Sequence, residues 1–190
     1  MIKPEKRDDI IRAAMELIAE HGFHGAPMAL VAGRAGVAAG TIYRYFESKD
    51  DLIRETHACL ERQILAALTE GYPTERPVRD RFLHIGRRLV AYFIASPMEF
   101  RFMEQFINSP YGAAHRREKL FGKQEKNIIF RLFEEALAQK IIKELPLPVL
   151  FALTFGPLLD VCRDHILEFI VLDEALIERT VQACWDGVKR

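Results

Sequence analysis

The sequence predicts an all-α protein of about nine helices, and three observations support this fold class. Apolar residues recur at helical spacing in almost every segment, and the alternation typical of β-strands is missing. Ser, Asp, Pro and Gly stand where helices begin and end. Apolar residues make up 49% of the chain and charged residues 28%, which is typical of a folded globular protein.

The first three predicted helices are close together in the chain. The first has one apolar face, formed by Ile10, Ala14, Leu17 and Ile18. Gly22 ends it, and Pro27 fits the first turn of a short second helix. Gly36 follows that helix where a left-handed residue is favoured. The third helix carries Ile42 and Phe46, which are four residues apart and therefore share a face.

Capping signals mark the next helices. Ser48 and Asp51 resemble a capping box at the start of a fourth helix. The fifth helix has an apolar face made of Val78, Phe82, Ile85 and Leu89. For the sixth we expect Ser96 as N-cap, Pro97 at the first helical position and Glu99 at the third.

The last third of the chain reads as three further helices. A long one is predicted to reach about Lys140, with core candidates Leu120, Ile129, Phe133 and Leu137. An apolar one follows, with Phe151, Phe155, Leu158, Cys162 and Phe169. Asp173 is the expected N-cap of the last helix, which ends near Gly187.

Aromatic composition divides the chain into two parts. Eleven of the 13 Phe residues lie between positions 82 and 169. We therefore expect a small three-helix head at residues 1–51 and a larger aromatic-rich bundle at residues 52–190, without a flexible linker.

Charge and composition argue against several classes of protein. The formal net charge is zero, so no global field attracts nucleic acid or membrane. No apolar stretch is long enough to span a bilayer, and the start does not read as a signal peptide. Three widely separated cysteines fit reduced thiols in the cytoplasm, and the histidines show no metal-ligand spacing, so we expect neither a metal nor a cofactor. No catalytic arrangement or phosphate-binding loop is recognisable, so an enzyme is not expected.

Residues 35–52, AGVAAGTIYRYFESKDDL, predict a helix-turn-helix. Two short helices, at about 28–35 and 39–45, are joined by a tight turn containing Gly36. The second helix of such a motif enters the major groove of DNA. Because Ile42 and Phe46 point inward, Tyr43 and Arg44 face outward.

This stretch resembles the TetR family of bacterial transcriptional regulators, whose pattern is approximately AGVSxGTLYxYFxSKxxL. The resemblance is strong over about residues 8–55. It implies a homodimer whose first three helices bind operator DNA and whose remaining helices hold a ligand pocket and the dimer interface. Transferred by position, phosphate contacts fall on Thr41, Tyr45 and Lys49, and base or groove contacts fall on Gly40, Tyr43 and Arg44. Arg44 has two readings, a bidentate contact to guanine or a contact to phosphate.

The sequence also departs from that family pattern. Ala38 stands where Ser is frequent, so the recognition helix lacks a side-chain N-cap, at a cost of about 1 kcal/mol. The first 55 residues carry eight Lys and Arg against nine Asp and Glu, which gives a net charge of −1. Additional phosphate contacts are expected from Arg12, Arg34, Lys3, Lys6 and Arg7. The alternative is that Tyr43 and Tyr45 pack the head and that Lys49 is only solvated.

The larger part is expected to bind a hydrophobic or aromatic small molecule. The candidate lining residues are Tyr92, Phe93, Phe102, Met103, Phe106, Phe133, Phe155 and Asp160. Aromatic residues at this spacing also fit an ordinary core, and both readings remain open. Asp160 favours a cation whereas His165 is ambiguous, so the charge of the ligand is left open.

The last two helices are expected to form the dimer interface. One apolar stripe consists of Leu153, Leu158 and Val161, and the other of Leu176, Thr180, Val181, Cys184 and Trp185. Two helices from each subunit would form a four-helix interface.

Two functions from different classes follow from the sequence. The first is a ligand-responsive, homodimeric DNA-binding regulator, a repressor that binds a palindromic double-stranded operator. The second is a helical protein that binds a small molecule or lipid and whose head no longer binds DNA. The neutral head keeps this second function open.

Overall fold

The computed structural model describes residues 4–121 and 128–190, and the fold of these residues is all-α, as predicted. The described residues form ten helices: α1 (Pro4–His21), α2 (Met28–Arg34), α3 (Ala39–Ile42), α4 (Lys49–Thr69), α5 (Val78–Ala95), α6 (Pro97–Ile107), α7 (Pro110–Phe121), α8 (Ile128–Ala138), α9 (Leu147–Ile166) and α10 (Glu174–Val188). Among these helices, none combines the length and apolar character that crossing a bilayer requires.

The helix ends confirm several capping predictions and correct one of them. The Ser48 hydroxyl accepts a hydrogen bond from the Asp51 amide at 3.1 Å, and the Asp173 carboxylate accepts one from the Leu176 amide at 2.7 Å. Ser96 is the N-cap of α6, but its side chain makes no cap hydrogen bond. The long helix expected to reach about Lys140 is described over two stretches, α7 and α8, and α8 ends at Ala138. Residues 122–127 lie outside the described part.

Contacts between Cα atoms divide the chain into two compact units. The first consists of Met1–Gln63 and Ser96–Gly122, and the second consists of Ile64–Ala95 and Lys123–Arg190. In this division, residues 49–63 of α4 group with the head helices, together with α6 and α7. This grouping places every side chain of the candidate DNA interface in the first unit.

In the first unit, α1 packs against α2 and α6. The core of this unit contains Leu17, Ile42, Phe46, Phe100 and Phe102, none of which is more than 1% exposed. Burial of large apolar side chains is the main favourable contribution to folding. A polar contact adds to it, because the Gln105 side-chain amide donates a hydrogen bond to the carbonyl oxygen of Ile18, at 2.8 Å. The end of α1 is thereby joined to α6.

In the second unit, α5 packs against α8, α9 and α10, and α9 packs against α10. A Cβ atom placed on Gly86 would lie 2.5 Å from Cγ1 of Val181, so α5 and α10 approach closely at this glycine. Phe82 packs its ring 5.3 Å from that of Trp185. Cys162 and Cys184 are buried and carry free thiols, and burial raises the pKa of Cys162 to about 12. The third free thiol, on Cys59, is half-buried.

Candidate nucleic-acid interface

The turn between α2 and α3 follows directly from its glycine. Gly36 has φ +65°, a left-handed conformation that glycine adopts without the steric cost that a Cβ imposes. Its amide donates to the Gly33 carbonyl at 3.1 Å, and the amide of Val37 donates to the Ala32 carbonyl at 2.9 Å. This pair of hydrogen bonds is the Schellman motif. It ends α2 and directs the chain into α3, as the sequence predicted.

Two apolar residues fix the recognition segment to the head. Ile42 is fully buried and Phe46 is 1% exposed. Although α3 proper spans only Ala39–Ile42, the amides of Tyr45 and Phe46 both donate to the Ile42 carbonyl, each at 3.0 Å. The helical turn therefore extends beyond α3. No side chain caps its start at Ala38, as expected for alanine.

The outer side of this segment presents three of the six predicted DNA-binding residues to solvent. Gly40, Tyr43 and Arg44 are exposed. Tyr43 is 59% exposed, which is unusual for a residue with so large an aromatic side chain. The backbone amide of Arg44 donates to the Thr41 carbonyl, but its guanidinium makes neither a hydrogen bond nor an ion pair within the described part of the chain. The guanidinium and the phenol are therefore available to a partner molecule.

The three predicted phosphate contacts are less exposed. Thr41, Tyr45 and Lys49 are all half-buried. The Lys49 ammonium donates a hydrogen bond to the backbone carbonyl of Phe23, in the turn after α1. A contact between Lys49 and phosphate would have to replace this hydrogen bond or share the ammonium with it.

The additional cations expected to contact phosphate are mostly paired within the head. Arg34 bridges two carboxylates of α1, Glu16 at 3.3 Å and Glu20 at 3.1 Å. Arg12 pairs with Asp9 at 3.2 Å. Arg7 pairs with Glu55 and also lies over the ring of Phe46. Lys6 is exposed, whereas Lys3 lies outside the described residues.

The start of α4, which follows the recognition segment, is fixed by several hydrogen bonds. Beyond the Ser48 cap, the amide of Glu47 donates to the carboxylate of Asp51 at 3.1 Å. The phenol of Tyr111, on α7, donates to Oδ1 of Asp50 at 2.5 Å. This hydrogen bond raises the pKa of Tyr111, because ionisation of the phenol would remove the donor. The two carboxylates also lie in the first turn, where the helix dipole favours negative charge.

The predicted ligand-binding residues are divided between the two units. Phe102, Met103 and Phe106 belong to the first unit, and Phe102 and Phe106 are almost completely buried there. The second unit contains Tyr92, Phe93, Phe133, Phe155 and Asp160. The rings of Phe133 and Phe155 lie 6.0 Å apart within a cluster of aromatic rings that also includes Phe130 and Phe151. Asp160 is exposed and pairs with Arg163 at 2.7 Å.

The predicted dimer residues are only partly on the surface. Leu158, Val181, Cys184 and Trp185 are at most 6% exposed within the chain itself, so the structure places them in its own core. Leu153 is 44% exposed, and Val161, Leu176 and Thr180 are half-buried. Exposed apolar side chains continue beyond α9 at Leu167, Phe169 and Val171.

Sequence reasoning missed one cluster of potential metal ligands. His57 and Glu61, one turn apart on α4, lie close to His115 of α7. The spacing of four residues between His57 and Glu61 is a signal, but nothing in the sequence pairs them with His115. The cluster depends on how α7 lies beside α4.

The comparisons with known proteins agree with this geometry. Residues 10–56 match the family described as "Bacterial regulatory proteins, tetR family", and residues 77–189 match "Tetracyclin repressor-like, C-terminal domain". An uncharacterized HTH-type transcriptional regulator of Haemophilus influenzae is 23% identical over 189 residues, which is 99% of this chain and 98% of that protein.

Two solved structures show the same fold over nearly the whole chain. A structure from Vibrio parahaemolyticus, described as a putative TetR family regulator, is 31% identical with a TM-score of 0.78 and covers 97% of this chain and 99% of its own. The fatty acid degradation regulator of Bacillus halodurans is 24% identical, with a TM-score of 0.75 and coverage of 96% and 99%. The head and the helices that follow it are thus both matched.

Proposed function

Because the chain belongs to the TetR family of helix-turn-helix transcriptional regulators, we propose that it is a homodimeric cytoplasmic repressor of palindromic operators. A hydrophobic or aromatic small molecule releases it from DNA. The relatives and the fold are those of regulators and not of enzymes. The single observation that carries the DNA-reading proposal is the exposed, unpaired Arg44 next to the exposed ring of Tyr43.

Recognition of bases would use Gly40, Tyr43 and Arg44. A guanidinium can donate two hydrogen bonds to O6 and N7 of guanine in the major groove. The absence of a side chain at Gly40 lets the backbone approach the groove edge. Thr41, Tyr45 and Lys49, which are half-buried, would bind phosphates. Because the head is not positively charged, we expect affinity to depend on two heads binding together.

The test is selection of bound duplexes from a random DNA pool with wild type, Arg44→Ala and Arg62→Ala. Arg62 is exposed on α4, outside the helix-turn-helix, and serves as the matched control. We expect wild type and Arg62→Ala to enrich the same palindrome and Arg44→Ala to lose preference at defined positions. Loss across all sequences would make Arg44 a phosphate contact. No enrichment by wild type would overturn the proposal and favour the small-molecule-binding alternative.

The proposed dimer uses the exposed apolar surface of α9 and its extension. Val149 and Leu153, one turn apart on α9, are 39% and 44% exposed. Contiguous apolar surface of this kind is typical of protein interfaces. Two heads would then meet half-sites about one helical turn apart, roughly 34–36 Å.

We expect Leu153→Glu to shift the sedimentation coefficient to that of a monomer. Leu65→Glu is the control, because Leu65 is 40% exposed on α4. If Leu153→Glu still sediments as a dimer, this surface is not the interface.

The proposed effector is an apolar molecule that binds among the aromatic rings of the second unit. The cluster of Phe130, Phe133, Phe151 and Phe155 supports this class of ligand, since such rings contact apolar surfaces well. The name of the Bacillus halodurans relative makes a fatty acid the first probe. A fused-ring aromatic hydrocarbon is the second probe. We expect one of them to raise the melting temperature and weaken DNA binding. If neither has an effect, a hydrophobic effector is the wrong class.

A further inference from the structure

Three potential metal ligands of the first unit converge between α4 and α7. They are Nδ1 or Nε2 of His57, a carboxylate oxygen of Glu61 and a ring nitrogen of His115, and these atoms all lie within 4.8 Å of one another. The Nε2 atom of His115 is 3.9 Å from Oε2 of Glu61. His57 is buried, whereas Glu61 and His115 are half-buried, which leaves a path from solvent.

The two imidazoles are held in place by a ring of α6. Phe106 stacks on His57 with the ring centroids 3.7 Å apart and the planes 11° apart. His115 meets the His57 ring edge-on, with the centroids 4.5 Å apart. Because Phe106 is 3% exposed, it is itself fixed by packing. Packing therefore restrains both rings close to these positions without a bound ion, which lowers the cost of assembling a binding site.

The carboxylate of Glu61 is also oriented. The ammonium of Lys119 lies 3.0 Å from Oε1, and this contact leaves Oε2 directed at His115. Carboxylates that bind metals commonly have such a hydrogen-bonding partner on their second oxygen. Lys119 therefore acts as a positioning residue.

We propose that His57, Glu61 and His115 bind one divalent transition-metal ion of the zinc class, with solvent completing the coordination shell. Two imidazoles and one carboxylate are ligands that Zn²⁺ accepts at about 2.0–2.2 Å. A tetrahedral site at that distance separates its ligand atoms by about 3.3 Å, so a side-chain movement of roughly 1 Å closes the site. The inference goes beyond the proposed function, because it requires only the fold of the first unit.

The bound ion links α7 to α4 at a second place. Tyr111 already joins α7 to the first turn of α4 through Asp50. Coordination by His57, Glu61 and His115 ties the two helices further along. A ligand that binds the folded chain and not the unfolded chain stabilises the fold, so metal also raises the melting temperature.

The test uses the full, untagged chain after treatment with a chelator. Equilibrium dialysis against Zn²⁺ measures stoichiometry and affinity, and Co²⁺ gives an absorption spectrum that reports its ligands. We expect one ion per chain and visible bands without sulfur-to-metal charge transfer. His115→Ala and Glu61→Gln should each weaken binding by more than the ~10–100-fold typical of losing a supporting contact.

Two controls separate this site from other ligands. His24→Ala removes an exposed histidine of the same unit, and Cys59→Ser removes the half-buried thiol on α4. Both should bind as wild type does. Circular dichroism checks folding, and Glu61→Gln keeps the shape of the side chain if His115→Ala is unstable. Failure of wild type to bind, or an affinity equal to that of wild type in both ligand variants, would overturn the site. Neither result bears on operator binding, which is measured separately.

Discussion

The phenol of Tyr111 donates a hydrogen bond to Oδ1 of Asp50, which lies in the first turn of α4, four residues after the buried Phe46 of the recognition segment. An exposed hydrogen bond of this kind stabilises a fold by about 0.5–1.5 kcal/mol. We expect Tyr111→Phe to lower the free energy of unfolding by that amount in urea denaturation. Tyr43→Phe is the control, since the Tyr43 side chain is exposed. Equal stability of Tyr111→Phe and wild type would mean that the hydrogen bond is not formed in solution.

Gly40 separates the requirements of folding from those of DNA binding. A Cβ atom at this position would meet no heavy atom within 4 Å, and its φ is not positive, so the fold does not require glycine there. We expect Gly40→Ala to raise stability by about 0.4–1 kcal/mol. The added methyl group should lower operator affinity about tenfold or more, equivalent to 1.4 kcal/mol.

The matched control is Gly33→Ala, in α2, where a Cβ atom also meets open space. Fluorescence anisotropy with the selected operator measures both variants. If Gly40→Ala binds as tightly as Gly33→Ala, the backbone at Gly40 does not approach DNA.

Gly86 is required by packing. Alanine there would place its methyl group 2.5 Å from Cγ1 of the fully buried Val181. Overpacking of a core costs about 1–3 kcal/mol, while the better helix propensity of alanine returns about 1 kcal/mol. We expect urea denaturation to show that Gly86→Ala lowers the free energy of unfolding by roughly 1 kcal/mol. Part of this loss should disappear when the Gly86→Ala, Val181→Ala double variant is compared with Val181→Ala alone.

Gly187→Ala, on exposed α10 surface, controls for propensity alone. It should not be destabilised. A Gly86→Ala protein as stable as Gly187→Ala would show that α5 and α10 separate without cost.

His57 should make the metal-free protein sensitive to acid. Burial, together with the nearby His115, lowers the pKa of His57 from 6.5 to about 4. The unfolded chain therefore takes up a proton before the folded chain does, so stability is complete above pH 6.5 and falls as the pH approaches 4. The difference corresponds to about 3 kcal/mol.

Urea denaturation in the presence of a chelator, from pH 7.5 to 4, measures this loss. Because carboxylates also titrate in this range, the quantity of interest is the difference between wild type and His57→Gln. Parallel curves for the two proteins would exclude His57 as the cause.

The rules of apolar spacing and helix capping, which act between residues close in sequence, predicted the helix-turn-helix and the helix caps. Contacts between distant segments of the chain could not be predicted from the sequence. The roles of Gly36, Ile42 and Asp173 depend on residues close to them in the sequence. Residue propensity and spacing were therefore sufficient to predict these roles. The acceptor of the Lys49 ammonium is a carbonyl in another turn, and no pattern in the sequence pairs the two. Val181 and Trp185 lie on an apolar stripe that fits a partner chain as well as the chain's own core, and only packing on α5 decides between them.

The grouping of α6 and α7 with α1–α4 has a consequence for protein engineering. A fragment cut after residue 56 would keep the recognition segment but lose α6, which packs on α1 and contributes Phe100, Phe102 and Phe106 to the core. Such a fragment would expose an apolar surface and tend to aggregate. Chimeras that exchange sensor parts between regulators of this architecture should therefore move two segments of chain together, with junctions near residues 63, 96 and 122.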